Sequence, residues 1–106
     1  MDIMQIKYNI SEPVPSVRTP FLQNGEIDWC GLDNMVEFLV EEAKVKTLLL
    51  TNGDSLWSVL SDDEVAAVTK RVVEQNKGRA MVIAGGKNWC TQKSLEFLII
   101  NKGVCL

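Results

Sequence analysis

Lys46-Thr-Leu-Leu-Leu-Thr51, followed by Asn52-Gly53-Asp54-Ser55 and then by Ser61-Asp62-Asp63-Glu64, decides the fold class of this chain. The first piece is an apolar run of strand length, and it ends in a short polar loop with a glycine. The last piece is a helix start. A hydroxyl followed three residues later by a carboxylate lets both side chains satisfy backbone N–H groups that have no helical partner, and the two aspartates between them suit the positive end of a helix. Val65, Val68 and Val72, with Ala66 and Val73 beside them, then recur at spacings of three and four, and Lys77-Gly78 ends the run. Strand, polar loop and amphipathic helix thus follow one another within about 30 residues, the length of a βα unit.

The same grammar extends in both directions. Upstream, Pro13 and Pro15 exclude helix between Glu12 and Thr19, which is read as strand one. Thr19-Pro20-Phe21-Leu22-Gln23-Asn24-Gly25 is a loop with an Asn-Gly turn signal. Helix one is predicted from Asp28, a capping carboxylate, to about Ala43. It turns Leu32, Met35, Val36, Leu39 and Val40 inward and Glu37, Glu41, Glu42 and Lys44 to solvent. Downstream, Ala80-Met-Val-Ile-Ala84 is a third strand, Gly85-Gly86-Lys87-Asn88 its loop, and Thr91 the cap of a third helix carrying Leu95, Leu98 and Ile99. The first ten residues show no clear period and are read as an irregular arm or a short extra strand.

Apolar strands without alternation indicate burial on both faces, which parallel sheets with helical crossovers provide. The chain is therefore read as α/β, either a barrel or a doubly wound sheet. In both, ligands collect where loops leave the C-terminal ends of the strands. Those loops are Thr19–Asn24, Thr51–Val59 and Gly85–Cys90.

Composition narrows the function classes. The 106 residues are 46% hydrophobic and 24% charged with a formal net charge of −3, values of an ordinary globular domain with no basic surface for nucleic acid. No apolar stretch approaches the roughly 20 residues that span a bilayer, and Met1-Asp2-Ile3-Met4-Gln5 is not a signal-peptide start. A cytoplasmic protein is expected. Cys30, Cys90 and Cys105 are odd in number and far apart, so they read as reduced structural thiols rather than a disulfide framework or a zinc site. Histidine is absent, which leaves carboxylates, lysines, cysteines and the single Tyr8 for any acid-base work.

Thr51-Asn52-Gly53 brings together a hydroxyl, an amide and a glycine that lets backbone N–H groups approach a ligand, and so can cradle a small carboxylate or phosphate. Pattern alone favours a plain turn that needs Gly53 for a positive φ, with Asn52 and Asp54 as ordinary turn residues. Gly85-Gly86-Lys87 does not meet the phosphate-loop pattern, and no dinucleotide fingerprint occurs. Lys87 is a formal candidate for a Schiff-base amine, weighed against a solvated loop lysine. Trp57 and Trp89 either line a pocket or cover the strand ends.

Several ordered segments resemble one family. Thr19-Pro20-Phe21, Asn24-Gly25-Glu26-Ile27-Asp28-Trp29, Gly31-Leu32 and Val36-Glu37-Phe38-Leu39 are similar to the opening of dihydrodipicolinate synthases and N-acetylneuraminate lyases. That family's second strand ends in Gly-Ser/Thr-Thr-Gly-Glu before a Leu-Ser-x-x-Glu helix start. This chain reads Leu50-Thr51-Asn52-Gly53-Asp54 and then Leu60-Ser61-Asp62-Asp63-Glu64. Gly78-Arg79 and Val82-Ile83-Ala84-Gly85 resemble its third strand.

The resemblance implies a (β/α)₈ TIM barrel of which this chain holds the N-terminal three βα units, truncated, as one partial domain over 1–106. The last ten or so residues diverge from the family. It implies a class I lyase or aldolase that joins a lysine to pyruvate or another 2-oxo acid as a Schiff base, works without cofactor or metal, and forms homotetramers. By motif position Thr51 takes the anion-binding and proton-relay place, Asn52 the place of the second hydroxyl, and Gly53 matches directly. Leu50, Asn52 and Asp54 depart from the motif, as do Gly86, Lys87 and Trp89 from the third loop, and Asn52 is closer to the 4-hydroxy-2-oxoglutarate aldolase branch. The family's tyrosine and lysine belong to strands four and six, so the chain alone is expected to be inert. Two other expectations stand beside it: a non-catalytic module that self-associates through exposed sheet edges, and a small flavodoxin-type domain.

Overall fold

The computed structural model of the chain describes residues 2–50, 56–85 and 90–101. In order these form α1 (Ile3–Asn9), α2 (Trp29–Glu37) running into a π-helical turn (Phe38–Glu42), β1 (Thr47–Leu49), a 3₁₀ turn (Trp57–Val59), α3 (Asp62–Asn76), β2 (Met81–Ile83) and α4 (Thr91–Asn101).

β1 and β2 pair in parallel, Leu48 opposite Val82, and α3 makes the crossover between them. On the other side of β1, strand one is represented among the described residues by a single parallel bridge. Ser16 bridges Leu49 in parallel; Val17 N–H donates to Leu49 O at 2.9 Å, and Leu49 N–H to Pro15 O at 3.0 Å. Pro15 accepts where it cannot donate, and no further rung forms among the described residues. The spatial order is therefore first, second, third. A flavodoxin-type sheet would place the first strand in the centre, so that expectation falls.

The core is one cluster on one face of this sheet. Leu48 and Leu50 of the β1 segment, with Ala80, Val82 and Ala84 around β2, alternate toward Leu32, Val36 and Val40 of the first helix and Val65, Val68 and Val72 of α3. Since α2 and α3 also touch each other, both helices cover the same face. The capping box at Ser61 and Glu64 is complete: Glu64 N–H donates to Ser61 Oγ at 3.1 Å and Ser61 N–H to Glu64 Oε1 at 2.9 Å. Lys77 and Gly78 end α3 with left-handed φ of 52° and 72°. Beyond them, the buried Asn76 amide donates to Ala80 O at 2.7 Å and accepts from Ala80 N–H at 2.9 Å, which fixes where β2 begins.

The opposite face is less covered than the apolar strands imply. Thr47 is fully buried, its hydroxyl donating to Asn9 O at 2.9 Å, but Ile83 at the C-terminal end of β2 is 39% exposed. The expectation of burial on both faces therefore fails at β2, which has only one strand neighbour among the described residues. The first ten residues are likewise not an arm or strand. Asp2 caps α1 by accepting from Gln5 N–H at 2.8 Å, and α1 buries no side chain. It is held at its edges by Lys46, whose ammonium is 2.7 Å from Glu12 and 4.0 Å above the Tyr8 ring; Glu12, and then Tyr8, raise the Lys46 pKa.

Helix one starts where expected, with Asp28 accepting from Gly31 N–H at 2.9 Å. It ends in a wider turn, in which Ala43 N–H reaches back five residues to Phe38 O at 2.9 Å. Arg79 ties this end to the α3–β2 connection. Its guanidinium donates to both Glu37 oxygens at 2.8 and 3.0 Å and to Glu41 at 2.5 Å. Those bonds, with one from Gln75, pull the Glu37 pKa down to about 2. Glu37 and Glu41 remain about half exposed, as their solvent-side assignment requires.

Candidate functional site

The candidate site is the edge at which the parallel segments end. Leu50 N–H donates to Ile83 O at 2.8 Å, and Val17 N–H to Leu49 O, so the chain leaves all three segments on the same side of the sheet. Thr19 stands at the end of the first segment and is buried, 4% exposed. The sequence placed it where strand one passes into the first loop, and the structure finds it buried at this edge, the Thr-Pro dipeptide closing the extended run being the signal.

The first loop folds back on itself. Phe21 bridges Ile27 in antiparallel fashion, Leu22 N–H donates to Glu26 O at 2.7 Å, and Asp28 N–H to Pro20 O at 2.9 Å. Asn24 Oδ1 accepts from Glu26 N–H at 3.0 Å while Gly25 takes a φ of +90°, so the Asn-Gly signal marks a real turn.

Thr51, Asn52 and Gly53, the residues assigned to bind the 2-oxo acid carboxylate, lie outside the described residues, as do Asp54, Gly86, Lys87, Trp89, Cys105 and the side chain of Trp57. The stems of the second loop are described. Leu50 is 2% exposed and Leu60 3%, two apolar plugs set into the core. Between them Leu56 adopts a left-handed φ of 62° and its carbonyl accepts from Val59 N–H at 3.1 Å.

At the end of the third loop the helix cap is not Thr91. Thr91 is already helical, and Cys90 precedes it, its carbonyl accepting from Ser94 N–H at 3.0 Å. The Lys93 and then the Gln92 backbone N–H groups lower the Cys90 thiol pKa, as expected of a sulfur facing a helix start. Cys30 and Cys90 are both free, as reduced thiols should be, and both are exposed. Leu95, carried by the third helix as expected, is 50% exposed, and the side chains of Leu98 and Ile99 lie outside the described residues. Among the described residues no group of three acidic, cysteine or histidine side chains is arranged to hold a metal.

Parallel segments in sequential order, with both crossover helices on one face and all three segments ending on one edge, define an α/β protein of barrel type. The dihydrodipicolinate synthetase family profile matches residues 9–97, and the chain belongs to that family. It is 34% identical over 91 residues to 4-hydroxy-tetrahydrodipicolinate synthase of Methanocaldococcus jannaschii, an alignment covering 85% of this chain and 30% of that protein. The crystal structure of dihydrodipicolinate synthase from Oceanobacillus iheyensis superposes with a TM-score of 0.87 at 28% identity, over 97% of this chain and 34% of that one. The chloride-inhibited dihydrodipicolinate synthase of Acinetobacter baumannii, solved in complex with pyruvate, gives 0.78 at 26% identity over 84% of this chain and 30% of that one. The chain thus matches the TIM-barrel fold of these enzymes while spanning about a third of their length.

Proposed function

We propose that the chain supplies the first three βα units of a (β/α)₈ class I aldolase or lyase acting on pyruvate or another 2-oxo acid, and that it contributes the carboxylate-binding loop. The observation that carries this reading is the family match across 9–97 together with the ending of all three parallel segments on one edge. In this role Thr51 and the backbone N–H groups around Gly53 hold the substrate carboxylate, Asn52 offers an amide in place of a second hydroxyl, and Thr51 passes a proton toward a tyrosine on a later strand. A pyruvate-bound relative supports the substrate class. A cytoplasmic location belongs to the same reading; no helix among the described residues is long and apolar enough to cross a membrane.

These 106 residues by themselves are inert in this proposal, because the amine that condenses with the 2-oxo carbon, losing water to form the imine, belongs to strand six. Incubation with pyruvate and borohydride tests this by mass spectrometry. No reduced secondary-amine adduct is expected; a stoichiometric adduct on Lys87 would overturn the assignment.

One observation favours a second reading, an association module. The outer edge of β2 is unpaired among the described residues, and Ile83 beside it is partly exposed. Sedimentation as a compact monomer at all concentrations would rule that reading out.

A further inference from the structure

We infer that the exposed face of α3 is a self-complementary contact surface for a second copy of this chain, packed antiparallel across a two-fold axis beside Ala67. Asp63, Ala67 and Lys70 are all exposed and, at spacings of four and three, lie along one face of the helix. Seven residues separate the acid from the base, about 10 Å along the axis. Neither Asp63 nor Lys70 has an ion-pair partner among the described residues.

Two shallow concavities flank this row, one reaching Leu22, Trp29, Asp63 and Ala67, the other Trp29, Ala67, Lys70 and Arg71. They meet at Trp29 and Ala67, so an aromatic ring and a small side chain mark the middle of the surface. The Arg71 guanidinium sits 5.8 Å from the centre of the Trp29 ring and donates to both Asp33 oxygens, which keeps the ring in place.

Charge chooses both the partner and its direction. Under a two-fold axis at Ala67, Asp63 of one copy faces Lys70 of the other, and the same operation makes the reciprocal pair. A parallel arrangement would set Asp63 on Asp63 and Lys70 on Lys70. Exposed ion pairs add little affinity, so they fix the register while contact between Trp29 and the small Ala67 face supplies the apolar burial. The acidic first turn of α3 also suits its own helix start, but that role does not require a matching unpaired base two turns on.

This inference is independent of the aldolase reading, and a charge swap tests it on the full chain. By sedimentation velocity at low salt the chain is expected to form a dimer that weakens as salt is added. Lys70→Glu should raise the dimer dissociation constant by about tenfold or more, and Asp63→Lys combined with Lys70→Glu should restore it. Circular dichroism confirms that both variants fold. A monomer at every concentration, a dimer unmoved by Lys70→Glu, or a double variant no better than the single one would overturn the proposal. Association through the open edge of β2 would persist in Lys70→Glu, and the pyruvate trap reports on the aldolase reading alone.

Discussion

A methyl group on Gly31 would stand 2.6 Å from Oδ2 of Asp28. The Asp28 carboxylate caps α2 by folding over its first turn, and only a residue without a side chain three positions on leaves room for it. Gly31→Ala should push the carboxylate off the Gly31 N–H. The gain in helix propensity, about 1 kcal/mol, and the loss of the cap, about 1 kcal/mol, nearly cancel, so a thermal melt should move by less than about 3 °C, against a drop of about 5 °C for Asp28→Ala, which loses the cap without that gain.

Leu32 and Leu95 separate the two ends of the packing scale. Leu32 is fully buried between α2, α3 and β1, whereas Leu95 is half exposed. Leu32→Ala should cost about 2–5 kcal/mol, enough to unfold a marginal domain, while Leu95→Ala should stay within about 0.5 kcal/mol. Urea titrations of the two variants decide this.

Asn76 acts as a one-residue strand partner for Ala80. Replacing its amide with Ala leaves the half-buried Ala80 N–H and C=O without that partner, a loss of about 1 kcal/mol. Amide exchange should accelerate first at Ala80 and along β2, while the interior of α3 stays protected.

The Glu37–Arg79 pair predicts acid sensitivity with a definite window. Arg79 holds the folded-state Glu37 pKa at about 2, below the usual 4.5. The pair's contribution is therefore complete above about pH 4.5 and is lost as pH falls toward 2. Asp33, lowered by its bond to Arg71, acts in the same direction. Glu37 is about half exposed, so the pair is screened by solvent; urea midpoints should fall slightly more across this range in the parent chain than in Glu37→Gln. The two curves should converge near pH 2.

What could be read in the sequence was what neighbouring residues settle among themselves. The Ser61–Glu64 box, the Asn24-Gly25 turn and the Lys77-Gly78 stop each involve groups within a few residues, so local chemistry determines them. The heptad-like row of valines in α3 and the Leu32, Val36 and Val40 stripe were legible because burial imposes a period. Some of the misreadings depended on something distant. Strand one makes one bridge among the described residues, where Pro15 accepts from Leu49 N–H but has no N–H to donate in return. β2 is partly exposed because strand composition reports propensity and not how many layers lie on top. α1 is different: its Asp2 cap on Gln5 N–H is local, and only its ties through Thr47 and Lys46 are long-range. The candidate site divides along the same line. Its edge follows from parallel order, while the identity of Thr51, Asn52 and Gly53 as ligands rests on motif position.

Cys90 offers the last test, because two assignments of the α4 cap predict opposite results. If Thr91 capped the helix, Thr91→Val would fray it and Cys90 would behave as an ordinary thiol. In the structure the Lys93 and Gln92 N–H groups face the Cys90 sulfur and stabilise its thiolate, so its pKa lies below the usual range. More of it is ionised at neutral pH. Iodoacetamide should therefore alkylate Cys90 with a rate that levels off at a lower pH than that of an ordinary exposed thiol, as peptide mapping over a pH series will show. Cys90→Ser, which keeps an acceptor at the cap, should preserve helical signal; Cys90→Ala should lose about 0.5–1 kcal/mol, and Thr91→Val should change little.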